Sequence, residues 1–295
     1  MARTERVPGV DDRTASDLRD LWQRAADADG VAAVSEAFRL AVGPPRDRVV
    51  HLLRCAGDGA LVGYAQVAAS GTPEAVAELV VDPRHRRRGH GRALLDGVLG
   101  EGARSVWAHG LLPAADALAR SAGLVLTRSL HRMTRPLTEA DAVDPPLPAG
   151  FSVRAFEPGR DDETWVRLNA AAFARHPEQG RLTVADLHER MAQPWFDPAG
   201  LLVAADGDRL WGFHWTKRHS ATLGEVYVVG IDPASQGLGL GKVLVDAGLR
   251  HLRDGGAEDV LLYVESDNVP AVLLYERLGF THAPADTHVM YVRPA

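Results

Sequence analysis

The stretch IDPASQGLGLGKVLV, residues 231–245, sets glycine at every second position from Gly237 to Gly241, directly after the apolar run VYVVGI at 226–231. A strand that runs through a glycine-rich turn into a helix exposes main-chain N–H groups and the positive end of the helix dipole, a device that holds phosphate. The chain carries this pattern twice. VDPRHRRRGHGRALL, residues 81–95, aligns with it at an offset of 150: Asp82 with Asp232, Pro83 with Pro233, Arg86 with Gln236, Gly89 with Gly239, Gly91 with Gly241 and Leu94 with Leu244. Further out, GDGALVGYAQV (57–67) matches DGDRLWGFHWT (206–216), and SAGL (121–124) matches RLGF (277–280). Two homologous halves follow, joined by TRPLTEADAVDPPLPAG (134–150), which is rich in proline and acids and lacks apolar periodicity.

The expected organisation is a first domain over 1–135, a linker over 136–150 and a second domain over 151–295, a division that suits a chain of 295 residues. Periodicity in the second half gives a strand at FSVRAF, helices at DDETWVRLNAAAF and TVADLHERM, a hairpin of GLLVAAD and LWGFHWTKR, and a strand at GEVYVVGI. A helix over 240–253, a strand EDVLLYVE, a short helix NVPAVLLYERLG and a last strand near THVMYVR complete it. The fold class is therefore α/β, with a mixed, mostly antiparallel sheet flanked by helices in each copy.

A net charge of −6 provides no global positive field for nucleic acid or an anionic membrane, so the expected partner is a small molecule. The basic cluster RHRRRGHGR (84–92) can be a nucleic-acid patch or a solvated face, but its interleaved glycines favour a phosphate-rich cofactor. No apolar run reaches the ~18 residues of a membrane span, and the N-terminal residues lack a secretory core. A cytoplasmic monomer is expected. The single cysteine, Cys55, lies in the apolar run VVHLLRC and reads as a buried, inert thiol. His214 and His219, five apart, make no recognisable metal pair and read as surface or sheet residues; no metal is expected.

Spacing narrows the ligand. An ATP loop of the G-x-x-x-x-G-K-S/T type needs glycine where Gln236 and Arg86 stand and a hydroxyl where Val243 follows Lys242. A dinucleotide fingerprint begun at Gly237 or Gly239 needs glycine at Lys242 or Leu244. Both copies fit Q/R-x-x-G-x-G/A instead, each preceded by Asp-Pro. This resembles the pyrophosphate loop of the GNAT acetyltransferase superfamily, whose members transfer acetyl from acetyl-CoA to an amine. The run DNVPAVLLYERLGF (267–280) is similar to the GNAT segment in which an Asn and a Tyr face the cofactor, here Asn268 and Tyr275. With Gly123 aligned to Gly279, Tyr275 falls opposite Ala119 and Asn268 opposite Leu112, so the first half keeps the loop and loses the hydroxyl. The first half is therefore expected to be non-catalytic.

The tandem arrangement is similar, within that superfamily, to the actinobacterial enzymes that acetylate the cysteinyl amine of cysteinyl-glucosaminyl-inositol, the last step of mycothiol biosynthesis. That resemblance implies acetyl-CoA contacts at Leu79, Val80 and Val81 with Arg87, Arg88, Gly89, His90 and Gly91. The second set is Val229, Gly230 and Ile231 with Gln236, Gly237, Leu238, Gly239, Leu240, Gly241 and Lys242. It implies substrate contacts at Glu36, Glu178, Lys217, Glu225 and Tyr263. The chemistry asks for a base to free the amine, a donor for the oxyanion and an acid for the leaving thiolate. Glu225, Tyr275 and the backbone N–H of Val229 or Ile231 are the candidates, with a splay of the strand exposing those amides. By position alone Glu36 is an ordinary polar residue of an amphipathic helix, and Tyr263 a packing residue of a strand. Two other readings stay open: a tandem GNAT enzyme acting on an aminoglycoside or peptide amine, and a non-catalytic acyl-CoA-binding regulator.

Overall fold

A computed structural model describes residues 2–143, 146–174, 179–207, 209–283 and 286–294. The chain divides into two compact units, one of Met1–Arg132, Val264–Leu274 and His282–Ala295, the other of Met133–Tyr263 and Tyr275–Thr281.

The first unit contains β1 (Arg3–Val7), α1 (Asp12–Asp29), α2 (Glu36–Leu40), β2 (Val50–Cys55), β3 (Leu61–Ala68), β4 (Val76–Val81), α3 (His90–Gly100), β5 (Ser105–Ala108), α4 (Pro113–Ser121) and β6 (Val125–Pro136). Its sheet runs β1-β2-β3-β4-β5, then β12 (Thr287–Val292) from the end of the chain, then β6. The β4–β5 pair is parallel and the others antiparallel. Strict alternation divides the sheet's two faces. Val50, Leu52, Ala65, Val67 and Ala77 pack with Leu94, Leu95 and Val98 of α3, while Tyr64 and Val80 pack with Leu18, Leu21 and Trp22 of α1. α1 starts where the Asp11 carboxylate accepts the Thr14 N–H at 2.8 Å and stops at Gly30, whose φ of 72° suits a residue without a side chain.

Two expectations change here. The amphipathic helix expected at Glu36 is only the five residues of α2, because Ser35 caps its start and Gly43-Pro44-Pro45 follow its end. Cys55 is half-buried, at the frayed end of β2, where the register with β3 shifts.

The second unit contains β7 (Ser152–Ala155), α5 (Asp162–Ala172), α6 (Val184–Met191), β8 (Leu201–Asp206), β9 (Arg209–Arg218), β10 (Leu223–Ile231), α7 (Leu240–Asp254) and most of β11 (Asp259–Glu265); of the next helix, α8 (Val269–Arg277), residues up to Leu274 fall in the first unit and those from Tyr275 in the second. Its strand order is β11-β10-β9-β8-β7, with β10 and β11 parallel and the rest antiparallel. One face packs Phe213, Trp215, Leu201 and Val203 under Trp165, Leu168 and Leu187 of α5 and α6. The other packs Ala204 against Leu240 and Leu244 of α7. On that face His214 is fully buried and its Nδ1 lies 2.8 Å from the Leu244 carbonyl.

Candidate active site

The two glycine loops have the same backbone. Asp82 and Asp232 have φ of −50° and −53° and bond their carboxylates to the N–H of Arg84 and Ala234, opening a short 3₁₀ turn in each case. Arg86 and Gln236 are extended, and Gly89 and Gly239 cap α3 and α7 in the left-handed region with φ of 82° and 80°. Gly237 is also left-handed, at 86°, and its counterpart Arg87 holds φ of 62° in spite of its side chain. That conformation costs roughly 1–2 kcal/mol for a residue with Cβ. The first loop thus keeps the phosphate-loop shape at an energetic cost. Gln236, Gly237, Leu238, Gly239 and Lys242 are exposed, and Lys242 pairs with Asp246 one turn along α7. In the first loop Arg87 and Arg88 are exposed, while the His90 side chain turns inward to accept Arg54 Nε at 3.2 Å. Open left-handed glycines followed by first-turn amides are suited to a diphosphate.

The strand before each loop separates from its parallel neighbour. β10 pairs with β11 only from Leu223 to Val226, and its register with β9 shifts between Val226 and Val228, so Tyr227 forms a bulge. Beyond it the Asp232 N–H donates to Trp211 at 2.8 Å. Donors alternate along an antiparallel strand, so the N–H groups of Ile231 and Val229 point away from β9 toward the side that β11 has left. The splay expected from sequence is present. β4 likewise pairs with β5 only over Val76–Glu78, and the gap beyond is a cavity of about 520 Å³ lined by Leu79, Val80, Val81, Arg87, Gly89 and Gly91. Its register with β3 is unbroken, so the first copy lacks the bulge.

Glu225 lies two residues before the bulge and directly opposite Lys217 of β9. Directly opposed residues share a sheet face, and both side chains are buried here. The Lys217 ammonium stands 4.5 Å from the Trp195 ring centre and 5.0 Å from that of Tyr227, within cation–π reach. Glu225 Oε2 lies 2.7 Å from His219 Nε2. Sequence reading assigned His219 no such role; the hairpin register reveals it, because His219 follows β9 and its N–H bonds Leu223, setting it diagonal to Glu225. His214 and His219 face opposite sides of the sheet. Trp195 and Tyr227 also escaped notice, since an aromatic in a strand or loop reads as core.

The other candidates are distributed as follows. Tyr275, near the end of α8, packs edge-on against Phe280, and burial pushes its phenol up to about 12. Asn268 precedes α8, where its Oδ1 accepts the Ala271 N–H at 3.4 Å, and it belongs to the first unit. Tyr263, on β11, is 38% exposed. Glu36 is half-buried in the first turn of α2. Glu178 lies outside the described residues. Among the described residues no group of three His, Cys, Asp or Glu side chains could hold a metal ion, and no helix is long and apolar enough to cross a membrane.

The first unit carries its own buried carboxylate, Glu78, four residues before Asp82, whereas Glu225 precedes Asp232 by seven. Glu78 accepts the Ser35 N–H at 2.8 Å and lies 3.1 Å from His109 Nε2, so it anchors the start of α2.

Over 276 residues the chain is 53% identical to the mycothiol acetyltransferase of Streptomyces scabiei, covering 92% of this chain and 89% of that one. The chain belongs to the mycothiol acetyltransferase family. A second member, from Thermomonospora curvata, is 49% identical over 97% of this chain and 96% of its own. Family models described as acetyltransferase (GNAT) family and acetyltransferase (GNAT) domain match residues 165–280 and 49–123. Both halves are thus GNAT domains, as the repeated loop implied, and the chain is an N-acetyltransferase with an α/β fold. Among solved structures, a tandem GNAT protein from the clavulanic acid biosynthesis pathway matches 99% of this chain with a TM-score of 0.75 at 21% identity. A GCN5-related N-acetyltransferase from Sphaerobacter thermophilus matches 99% with a TM-score of 0.72, also at 21% identity. At that identity they speak for the fold alone.

Proposed function

We propose that the chain transfers acetyl from acetyl-CoA to the cysteinyl amine of cysteinyl-glucosaminyl-inositol, completing mycothiol, and that the second unit performs the transfer as part of a cytoplasmic monomer. The observation that carries this is Glu225: a buried carboxylate two residues ahead of the bulge at which the outward amides of β10 begin. When bound, acetyl-CoA supplies the activated acetyl thioester. Gly237 to Lys242 and the first-turn amides of α7 hold its diphosphate. Glu225 takes a proton from the substrate ammonium so that the nitrogen lone pair can attack. The Val229 and Ile231 N–H groups face the gap in which the carbonyl oxygen gains charge. Tyr275 gives its proton to the departing sulfur; its raised pKa keeps the phenol protonated across neutral pH.

Lys217, held over two aromatic faces, is placed to donate to the substrate's hydroxyls or amide carbonyl, with Glu36, Glu178 and Tyr263 as further substrate contacts. The first unit keeps the loop and a cavity for a CoA ester through Leu79 to Val81 and Arg87 to Gly91, and does not transfer. Its Glu78 carboxylate accepts the Ser35 N–H at the start of α2, and Ala119 stands where the sequence repeat puts Tyr275. The domain limits 1–135, 136–150 and 151–295 belong to this reading. Thiol release from acetyl-CoA tests it: rapid release with the cysteinyl pseudodisaccharide and little with aminoglycosides or peptide amines is expected. Release with aminoglycosides alone refutes the substrate, and no release with any amine refutes the enzyme.

A further inference from the structure

We propose that His219 is a positioning residue for Glu225, fixing one carboxylate oxygen and carrying the proton that Glu225 gains out to solvent. This rests on the reading of Glu225 as the base. An ammonium and a thioester become an amide and a thiol with two protons lost from nitrogen. One ends on sulfur, through Tyr275, and the other has to leave the protein. The Glu225 side chain is 6% exposed and that of His219 33%, with 2.7 Å between Oε2 and Nε2. The pair joins a buried base to water. Among the described residues Oε1 has no hydrogen-bond partner, which leaves one oxygen for His219 and one for the substrate.

The imidazole is held in place by its turn. The backbone N–H of His219 donates to the Leu223 carbonyl at 2.9 Å, Ser220 Oγ accepts the Leu223 N–H at 3.1 Å, and the Arg218 guanidinium donates to Ala221 O at 2.7 Å. The proton moves in three transfers: ammonium to carboxylate, carboxyl to Nε2 of the imidazole in its Nδ1–H tautomer, and imidazolium Nδ1–H to water. The ring is then left with its hydrogen on Nε2, donating to the ionised carboxylate, and exchange with water returns it to the Nδ1–H tautomer before the next transfer. Lys217 of β9 lies opposite Glu225, and Asp259 and Tyr263 of β11 share that sheet face. α5 covers this face with Trp165 and Leu168, and its Asp162 pairs with His188 of α6. The 192–200 segment adds Trp195 and Phe196, and its Asp197 pairs with His251 of α7.

The test compares full-length wild type with His219→Ala, His219→Gln and Glu225→Gln for kcat, KM and melting temperature, from about pH 5.5 to about pH 9. Glutamine keeps a hydrogen bond to Oε2 but carries no proton. His219→Gln and His219→Ala should both lower kcat by about 10-fold or more, with KM for acetyl-CoA within about twofold and altered pH profiles. Added imidazole should restore His219→Ala in part. Wild-type kcat and pH profile in His219→Gln, beside an inactive Glu225→Gln, would overturn the relay alone. Full activity in Glu225→Gln would overturn the base itself and the relay with it.

Discussion

Tyr275 has two traits that an acid for a leaving thiolate needs: a proton to give at neutral pH, and a fixed ring. Packing against Phe280 fixes the ring, and burial, by disfavouring the phenolate, pushes the phenol up to about 12 from 10.0. Tyr275→Phe removes the proton and keeps the packing. It should reduce kcat by roughly 100-fold with little change in melting temperature, and the wild-type rate should not fall through tyrosine ionisation below about pH 10. A Phe variant with wild-type kcat would assign the ring to packing alone. Glu225 and Tyr275 could be named from sequence as candidates, the first from its place in the strand before the glycine loop and the second from the run DNVPAVLLYERLGF. His219 was not, because its role depends on pairing Lys217 with Glu225 across a turn, and a one-residue slip in that register would move it to the opposite face.

At the scale of elements, α7 shows how tightly a helix is seated behind the cofactor loop. Gly248 lies in its interior, where exchange to alanine ordinarily stabilises by ~1 kcal/mol. Here an added Cβ would overlap the buried His214 ring, which is fixed to the Leu244 carbonyl. Gly248→Ala should therefore destabilise the protein by about 2 kcal/mol or more in urea unfolding; a gain in stability would mean that α7 sits further from β9. Most elements of the second half followed from apolar period and glycine punctuation. The bulge at Tyr227 did not, since nothing in the run EVYVVGI marks which residue leaves the ladder. The insertion of β12 between β5 and β6 was equally hidden, because that partner choice joins residues more than 150 positions apart.

For the whole molecule, the buried histidines make stability depend on pH. Burial holds His214 at about 4, and burial with the neighbouring His109 holds His288 at about 3, against 6.5 for a free imidazole. Both are depressed, so the unfolded chain binds more protons at mildly acid pH. The stabilisation is fully present above 6.5 and is lost as pH falls through about 4, and for His214 it corresponds to about 3 kcal/mol. Unfolding free energy should be level from about pH 7.5 to about pH 6.5 as far as these rings are concerned and fall from there to about pH 4.5. A flat profile would mean that these rings are hydrated.

Among the described residues each unit buries one glutamate near its glycine loop, and the strands that carry them differ. Glu78 accepts the Ser35 N–H at the start of α2 on a strand whose register is unbroken, whereas Glu225 meets His219 two residues before a bulge. The decisive measurement is steady-state thiol release from acetyl-CoA with the cysteinyl pseudodisaccharide, for Glu225→Gln and Glu78→Gln side by side, with acetyl-CoA binding measured in parallel. Glu225→Gln should lose about 100-fold or more in kcat with binding intact, while folded Glu78→Gln should stay within about threefold of wild type. A comparable loss in both variants, or a loss confined to Glu78→Gln, would contradict transfer at the second unit.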